Sequence, residues 1–256
     1  MAAVDAEAVL ERRDFFPRGM VQPDNGYRFS LDSLLLSCFA HAGRRQKGVD
    51  LGCGCGVVGI GMVLRQPDLH IAGIDVSPES IRAAEVNKIN LHLIDKLTFE
   101  VADVTAWRPA KVLDFVVSNP PYRGLGVGRA SRGEDRKTAR FEARGTFGQF
   151  ARCAAVALKT KGKFTFVHLP ERLPELMGDL AESGLVPKRM RLVHGRADET
   201  AKMVLMETVK AGGPGLKVEP PLILHQGKGA DTRLTKQALE FCPFLACNTG
   251  ENNDRE

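Results

Sequence analysis

No stretch of this 256-residue chain approaches the 18 or so uninterrupted apolar residues that a membrane-spanning helix requires, which argues against a membrane role. The first thirty residues carry acids early and lack an apolar stretch ending in small residues, so no secretory leader is expected. Paired metal-binding cysteines are missing as well. Cys38, Cys53, Cys55, Cys153, Cys242 and Cys247 form neither a C-x-x-C nor a regular Cys/His set, so no metal is expected and reduced structural thiols are. No internal repeat is evident. The chain does have 43% hydrophobic and 26% charged residues, too apolar for disorder and long enough for a substantial core. A globular, cytoplasmic protein of one large domain, or one and a half, is expected.

The net charge of +5 is concentrated rather than spread. Arg123, Arg129, Arg132, Arg136, Lys137, Arg140 and Arg144 face only Glu134, Asp135 and Glu142, so a local excess of +4 sits within about twenty residues. Five glycines interrupt the same stretch, which reads as a surface loop that attracts a polyanion.

Short β-like runs alternate with longer amphipathic segments, predicting an α/β fold with a mostly parallel sheet. A capped helix is expected to about residue 41, strands over 48–51, 70–75, 97–101, 112–117 and 162–168, and helices over 57–64, 78–90, 147–158 and 170–182. The runs 186–194 and 201–209 leave no room for a crossover helix and must form an antiparallel hairpin. Beyond them the chain reads as an extended arm through 220–224, a short helix near 232–241 and a disordered tail. The expected divisions are an N-terminal segment and helix packing on the cofactor site (1–45), a central domain (46–210) and a C-terminal arm (211–256).

Asp50-Leu51-Gly52-Cys53-Gly54-Cys55-Gly56 links the first strand to a helix. Side chains are missing at alternate positions, which lets the backbone bend and approach a ligand. The helix start adds free N–H groups and a positive dipole end. Asp75 ends the next strand, where a carboxylate can accept both hydroxyls of a ribose. This combination indicates an adenosine-containing cofactor. Gly54-x-Gly56-x-x-Gly59 with Asp75 nineteen residues on also fits a dinucleotide site. Asp50 would repel a pyrophosphate but welcome an ammonium group, and the terminal hairpin departs from an all-parallel dinucleotide sheet; both favour S-adenosyl-L-methionine. Asp103, after the third strand, is placed either to accept from an adenine amine or to act as an ordinary loop acid.

Ser118-Asn119-Pro120-Pro121-Tyr122 follows the apolar fourth strand, at the sheet edge where α/β proteins do their chemistry. Two prolines fix the backbone and remove N–H donors. The Asn119 oxygen and the Pro120 carbonyl can then accept both protons of one planar NH₂ group, and Tyr122 can stack on the flat group that bears it. An activated sulfonium methyl needs alignment more than a general base. His168 and His194 end apolar strands and read as structural. Lys188, Arg189, Arg191 and Arg196 either extend a nucleic-acid surface or are simply solvated.

With these motifs, the chain resembles a seven-strand, Rossmann-like, S-adenosylmethionine-dependent methyltransferase of the small-domain group. It is most similar to the bacterial valine-tRNA (adenine-N6)-methyltransferases, which modify the adenine 3′ of the anticodon. Gln22 through Tyr27-Arg28-Phe29-Ser30-Leu31-Asp32-Ser33-Leu34, Phe166-Val167-His168 and Pro170-Glu171-Arg172-Leu173 carry the resemblance further along the chain. The resemblance implies that Asp50, Gly52, Gly54 and Gly56 line the methionine part of the cofactor, Asp75 with Val76 the ribose side, and Asp103 with Val104 the adenine. It places Asp32 near the cofactor, and Asn119, Pro120, Pro121 and Tyr122 at the target amine. The same motif serves enzymes acting on adenine, on guanine N2 in ribosomal RNA, and on glutamine in release factors. The adjoining basic loop, Arg123, Arg129, Arg132, Arg136, Lys137 and Arg140, favours RNA, most simply tRNA; a non-catalytic RNA-binding partner is the alternative outside enzymes.

Overall fold

The computed structural model describes residues 16–23, 28–122 and 145–248. The basic loop residues Arg123, Arg129, Arg132, Arg136, Lys137 and Arg140 lie outside the described residues, as does the tail expected to be disordered. Helix α1 (Leu31–Phe39) precedes β1 (Lys47–Leu51), α2 (Val57–Arg65), β2 (His70–Asp75), α3 (Pro78–Asn90), β3 (Leu97–Val101) and β4 (Leu113–Ser118). After the undescribed segment come α4 (Phe147–Ala157), β5 (Leu158–His168), α5 (Leu173–Glu182), β6 (Leu185–His194) and β7 (Ala201–Lys210).

The strand order is β3-β2-β1-β4-β5-β7-β6, parallel from β3 to β5 and antiparallel where β7 enters between β5 and β6. The expected hairpin is therefore present. Successive side chains along a strand point to opposite faces, and here both faces are buried. Phe115 and Val117 pack with α1 and α2 on one side, while Val116, Phe164 and Phe166 pack with α4 and α5 on the other. Gly48 is required at the centre, because a Cβ there would meet the Phe115 ring at 2.3 Å.

Several boundaries differ from the sequence expectation for visible reasons. β5 starts at Leu158 rather than at residue 162, with Lys161 at φ 64° and a register shift against β4 absorbing the irregularity. Residues Pro170–Arg172 form a 3₁₀ turn before α5, and α1 ends at Phe39. The expected arm is extended and ends in a short helix, and its strands pair with the rest of the fold. Lys217–Val218 (β8) and Leu222–Ile223 (β9) pair in parallel with β6, His225–Gln226 (β10) pairs with Arg233–Leu234 (β11), and α6 (Lys236–Phe241) packs on α1.

The four cations of the hairpin hold this arm. Lys188 donates to the carbonyls of Gly213 and Pro214, Arg191 to that of Pro220, and Arg196 to Gly227 and Thr232 Oγ1. Arg189 pairs with Glu207 and Glu219 and lies over the Phe39 ring at 3.9 Å. At the arm's end, Phe244 meets Phe16 edge-on at 4.9 Å, both rings fully buried. Phe244→Ala should lower the unfolding free energy by about 3–5 kcal/mol. Thermal denaturation checks this, and an unchanged melting temperature would show that the arm lies outside the cooperative core.

Candidate active site

Parallel pairing brings three strand ends to one edge. Leu51 lies beside Ile74, and Asp50 beside Val117. The chain then turns over the edge, with the N–H groups of Gly52 and Cys53 both donating to the Ile74 carbonyl at 2.8 and 2.9 Å. Gly52, Gly54 and Gly56 have φ of 70°, 55° and 87°, a region that disfavours side chains. A Cβ on Gly54 would meet nothing within 4 Å, so the loop faces open space there.

Two carboxylates frame this loop. Asp75 accepts from the Gly54 and Ser77 N–H groups, one on each oxygen, both at 2.9 Å. Asp50 is 1% exposed; its Oδ2 accepts from the Gly59 N–H at 3.3 Å, while its buried Oδ1 has no partner among the described residues. Burial, reinforced by the nearby Asp75 charge and opposed by the Gly59 hydrogen bond, pushes the Asp50 carboxyl up to about 7. An orphaned buried carboxylate oxygen beside an open glycine loop fits a bound ammonium group, and the paired oxygens of Asp75 retain lone pairs for hydroxyls. Val76 is 43% exposed next to Asp75 and offers apolar surface. Asp103 is exposed and accepts from both the N–H and the hydroxyl of Thr105, while Val104 is buried beneath it.

The Asn119 motif is anchored from two directions. Ser118 Oγ donates to the Leu51 carbonyl at 2.8 Å and ties β4 to the glycine loop. Asn119 Nδ2 donates to Ser33 Oγ at 2.9 Å, which ties the amide to the first turn of α1. Tyr122 donates to Asp32 Oδ2 at 2.5 Å, and its hydroxyl lies 3.0 Å from Asn119 Oδ1. A phenol has one proton, and the closer carboxylate takes it. Asp32, expected near the cofactor, is thus tied to Tyr122. Ser33, which holds the amide from the first turn of α1, was missed; a lone serine after Asp32 gives no sign of a partner 86 residues away. Pro120 is buried and Pro121 half-buried behind Tyr122.

Residues 29–174 match the family model described as "Methyltransferase small domain". A tRNA1(Val) (adenine(37)-N6)-methyltransferase of Vibrio cholerae is 27% identical over 217 residues, 84% of this chain and 88% of that one. One from Escherichia coli O157:H7 is 26% identical over 181 residues, 69% of this chain and 73% of that one. Among solved structures, Atu636 of Agrobacterium tumefaciens, an O-methyltransferase by prediction, shares the fold with a TM-score of 0.67 at 20% identity, covering 84% of this chain and 96% of its own. A TehB-like SAM-dependent methyltransferase of Corynebacterium glutamicum gives 0.50 at 16%, covering 80% and 97%. The chain belongs to the methyltransferase small domain family, and its methyl donor is S-adenosyl-L-methionine.

Because its folded-state pKa is raised, Asp50 contributes stability while protonated and loses that contribution as pH rises from about 4 to about 7. His168, whose pKa burial and Arg172 lower to about 4, acts in the opposite sense between pH 4 and 6.5. The difference between wild type and Asp50→Asn isolates the carboxyl. In ligand-free melts the variant should gain on the wild type by about 1–3 kcal/mol as pH rises from 5 to 8. A constant difference across that range would place the Asp50 titration elsewhere.

Proposed function

We propose that this enzyme transfers a methyl group to the exocyclic N6 amine of adenine in RNA, with tRNA as its substrate, in the cytoplasm. One observation carries the proposal: Asn119 of the Asn119-Pro120-Pro121-Tyr122 turn follows β4 and is hydrogen-bonded to Ser33 and Tyr122 at the carboxyl ends of the parallel strands. Two acceptors on a fixed backbone suit one planar NH₂ group. The names of the relatives supply the adenine and the tRNA.

In this reading Asp50 and the Gly52–Gly54–Gly56 loop hold the methionine end of the cofactor, Asp75 and Val76 its ribose side, and Asp103 with Val104 the adenine ring. S-adenosyl-L-methionine supplies a methyl group already activated on a sulfonium. Asn119 and the Pro120 carbonyl turn the nitrogen lone pair toward that methyl, and the amine proton becomes acidic only as the bond forms. Alignment supplies most of the acceleration. Pro121 stiffens the turn, Tyr122 bears on the flat base, and Asp32 fixes Tyr122 through its hydroxyl. The helix within 1–45 packs on the cofactor site, 46–210 perform the transfer, and residues 236–248 of the C-terminal arm brace α1. Arg123, Arg129, Arg132, Arg136, Lys137 and Arg140 bind RNA phosphates beside the target, whose base must be unpaired or flipped to expose its amine.

Tritiated methyl transfer into total RNA and total protein, followed by nucleoside and amino-acid analysis, tests the substrate class. Label in N6-methyladenosine supports the reading, whereas label in N2-methylguanosine or N5-methylglutamine overturns it. Asn119→Ala should lower turnover about 100-fold or more with cofactor affinity nearly unchanged. Asp75→Ala should instead weaken cofactor binding by about 1–3 kcal/mol, as read by calorimetry; a fully active Asn119→Ala would refute the amine-holding role. Replacing Arg132, Arg136 and Arg140 should reduce the slope of log K for RNA against log salt by about 0.7 per lost phosphate contact. An unaltered slope would remove that segment from the RNA site.

A further inference from the structure

At the carboxyl end of β5 a cleft of about 420 Å³ opens between Pro121–Tyr122, Phe147, Arg172 of the 3₁₀ turn and the face of α5 that carries Glu175, Asp179 and Glu182. His168 forms part of its wall, although only 2% of the residue is exposed. Its Nδ1 accepts the Leu169 N–H at 2.8 Å, so the proton of the neutral ring sits on Nε2. Among the described residues nothing accepts that proton. The Tyr122 ring lies 5.1 Å away at 56° and the Phe147 ring 5.7 Å away at 83°, which fixes the imidazole plane. That leaves the Nε2–H a free donor on a residue that lines the cleft.

Tyr122 connects this donor to the amine site. Its ring touches His168, and its hydroxyl is 3.0 Å from Asn119 Oδ1. We infer that His168 is a substrate-binding residue, donating Nε2–H to a ring nitrogen of the same base whose amine Asn119 holds. The inference rests on the adenine reading above and deepens it. Adenine flanks its N6 amine with two acceptors, N1 and N7. Guanine flanks its N2 amine with an N1–H on one side and the N3 acceptor on the other, so an imidazole N–H on the N1 side would meet it donor to donor. On that side the wrong base leaves the donor unpaired.

Charge agrees with the assignment. Burial first, and then the Arg172 charge, hold His168 at about 4, so the ring is uncharged at neutral pH. An imidazolium here would oppose the sulfonium of the cofactor; a neutral donor recognises the base without that repulsion. The sequence alone reads His168 as a structural histidine ending an apolar strand, and the burial half of that description holds. What the sequence does not show is the open cleft beside its second nitrogen.

The test uses tRNA anticodon stem-loops carrying adenine, 1-deazaadenine, 3-deazaadenine or 7-deazaadenine at the methylated position, with the full-length enzyme. Wild type should lose about tenfold in kcat/KM on one of the three analogues. His168→Phe, which keeps the ring packing, should lose about tenfold on adenine itself and become indifferent to that analogue. His168→Gln, which keeps an N–H donor, should recover most of the loss, and thermal melts should show all three proteins folded. Wild type insensitive to every analogue, or His168→Phe as discriminating as wild type, overturns the inference while leaving the adenine reading intact. Failure of wild type to methylate the unmodified stem-loop, with transfer into protein glutamine instead, overturns both.

Discussion

Pairing of β1 with β2 on one side and β4 on the other fixes the ligand edge of this protein. Parallel strands end together, so Asp50, Asp75 and Asn119 come from three distant stretches of chain to one place. The carbonyl of Ile74 then turns the glycine loop by taking two N–H groups, and Ser118 closes the other side onto Leu51. None of these contacts touches a reacting atom. Together they set where each side chain that does so can reach.

The edge holds opposite charges apart. Asp50 and Asp75 repel one another, and the desolvated Asp50 carries the cost as a raised pKa. A cationic ligand would relieve that cost, which fits the proposed place of the methyl donor beside Asp50. The positive excess of the chain lies on the far side of Tyr122 in sequence, in residues 123–144, where it suits phosphates. Asn119 and the two prolines, all uncharged, lie between. In the proposed function a cationic donor and a polyanionic substrate meet across these neutral groups.

Much of this was legible in the sequence, for identifiable reasons. Strands β2 and β3 and helix α3 matched residue for residue, because apolar runs there are bounded by Ser77-Pro78 and comparable turn signals. The pairing of the arm with β6 was not legible because two-residue strands such as Lys217–Val218 are too short to show a period of two. The cations of the β6–β7 hairpin looked free for the same reason, since each of them reaches at least one acceptor on that arm. Contacts across long separations left no trace at all. Nothing near Ser33 points to Asn119, and nothing near His168 announces the cleft beside it.

The family match ends at residue 174, yet the geometry of the amine site extends past it. Asn119 and Tyr122 are oriented by Ser33 and Asp32, in the first turn of α1. The rest of α1 is buried beneath the arm: Leu34, Leu35 and Leu36 share a core with Ala238, Phe244 and Leu245, and Cys242 Sγ lies 3.6 Å from the Leu34 carbonyl. A helix of nine residues is too short to hold its position alone. Its first turn stays registered against β4 because α2 and the arm both pack on its body, and the hairpin cations clamp the arm. Residues more than a hundred positions from Asn119 therefore share in holding its side chain, and damage to the arm should show as lost alignment before it shows as lost cofactor.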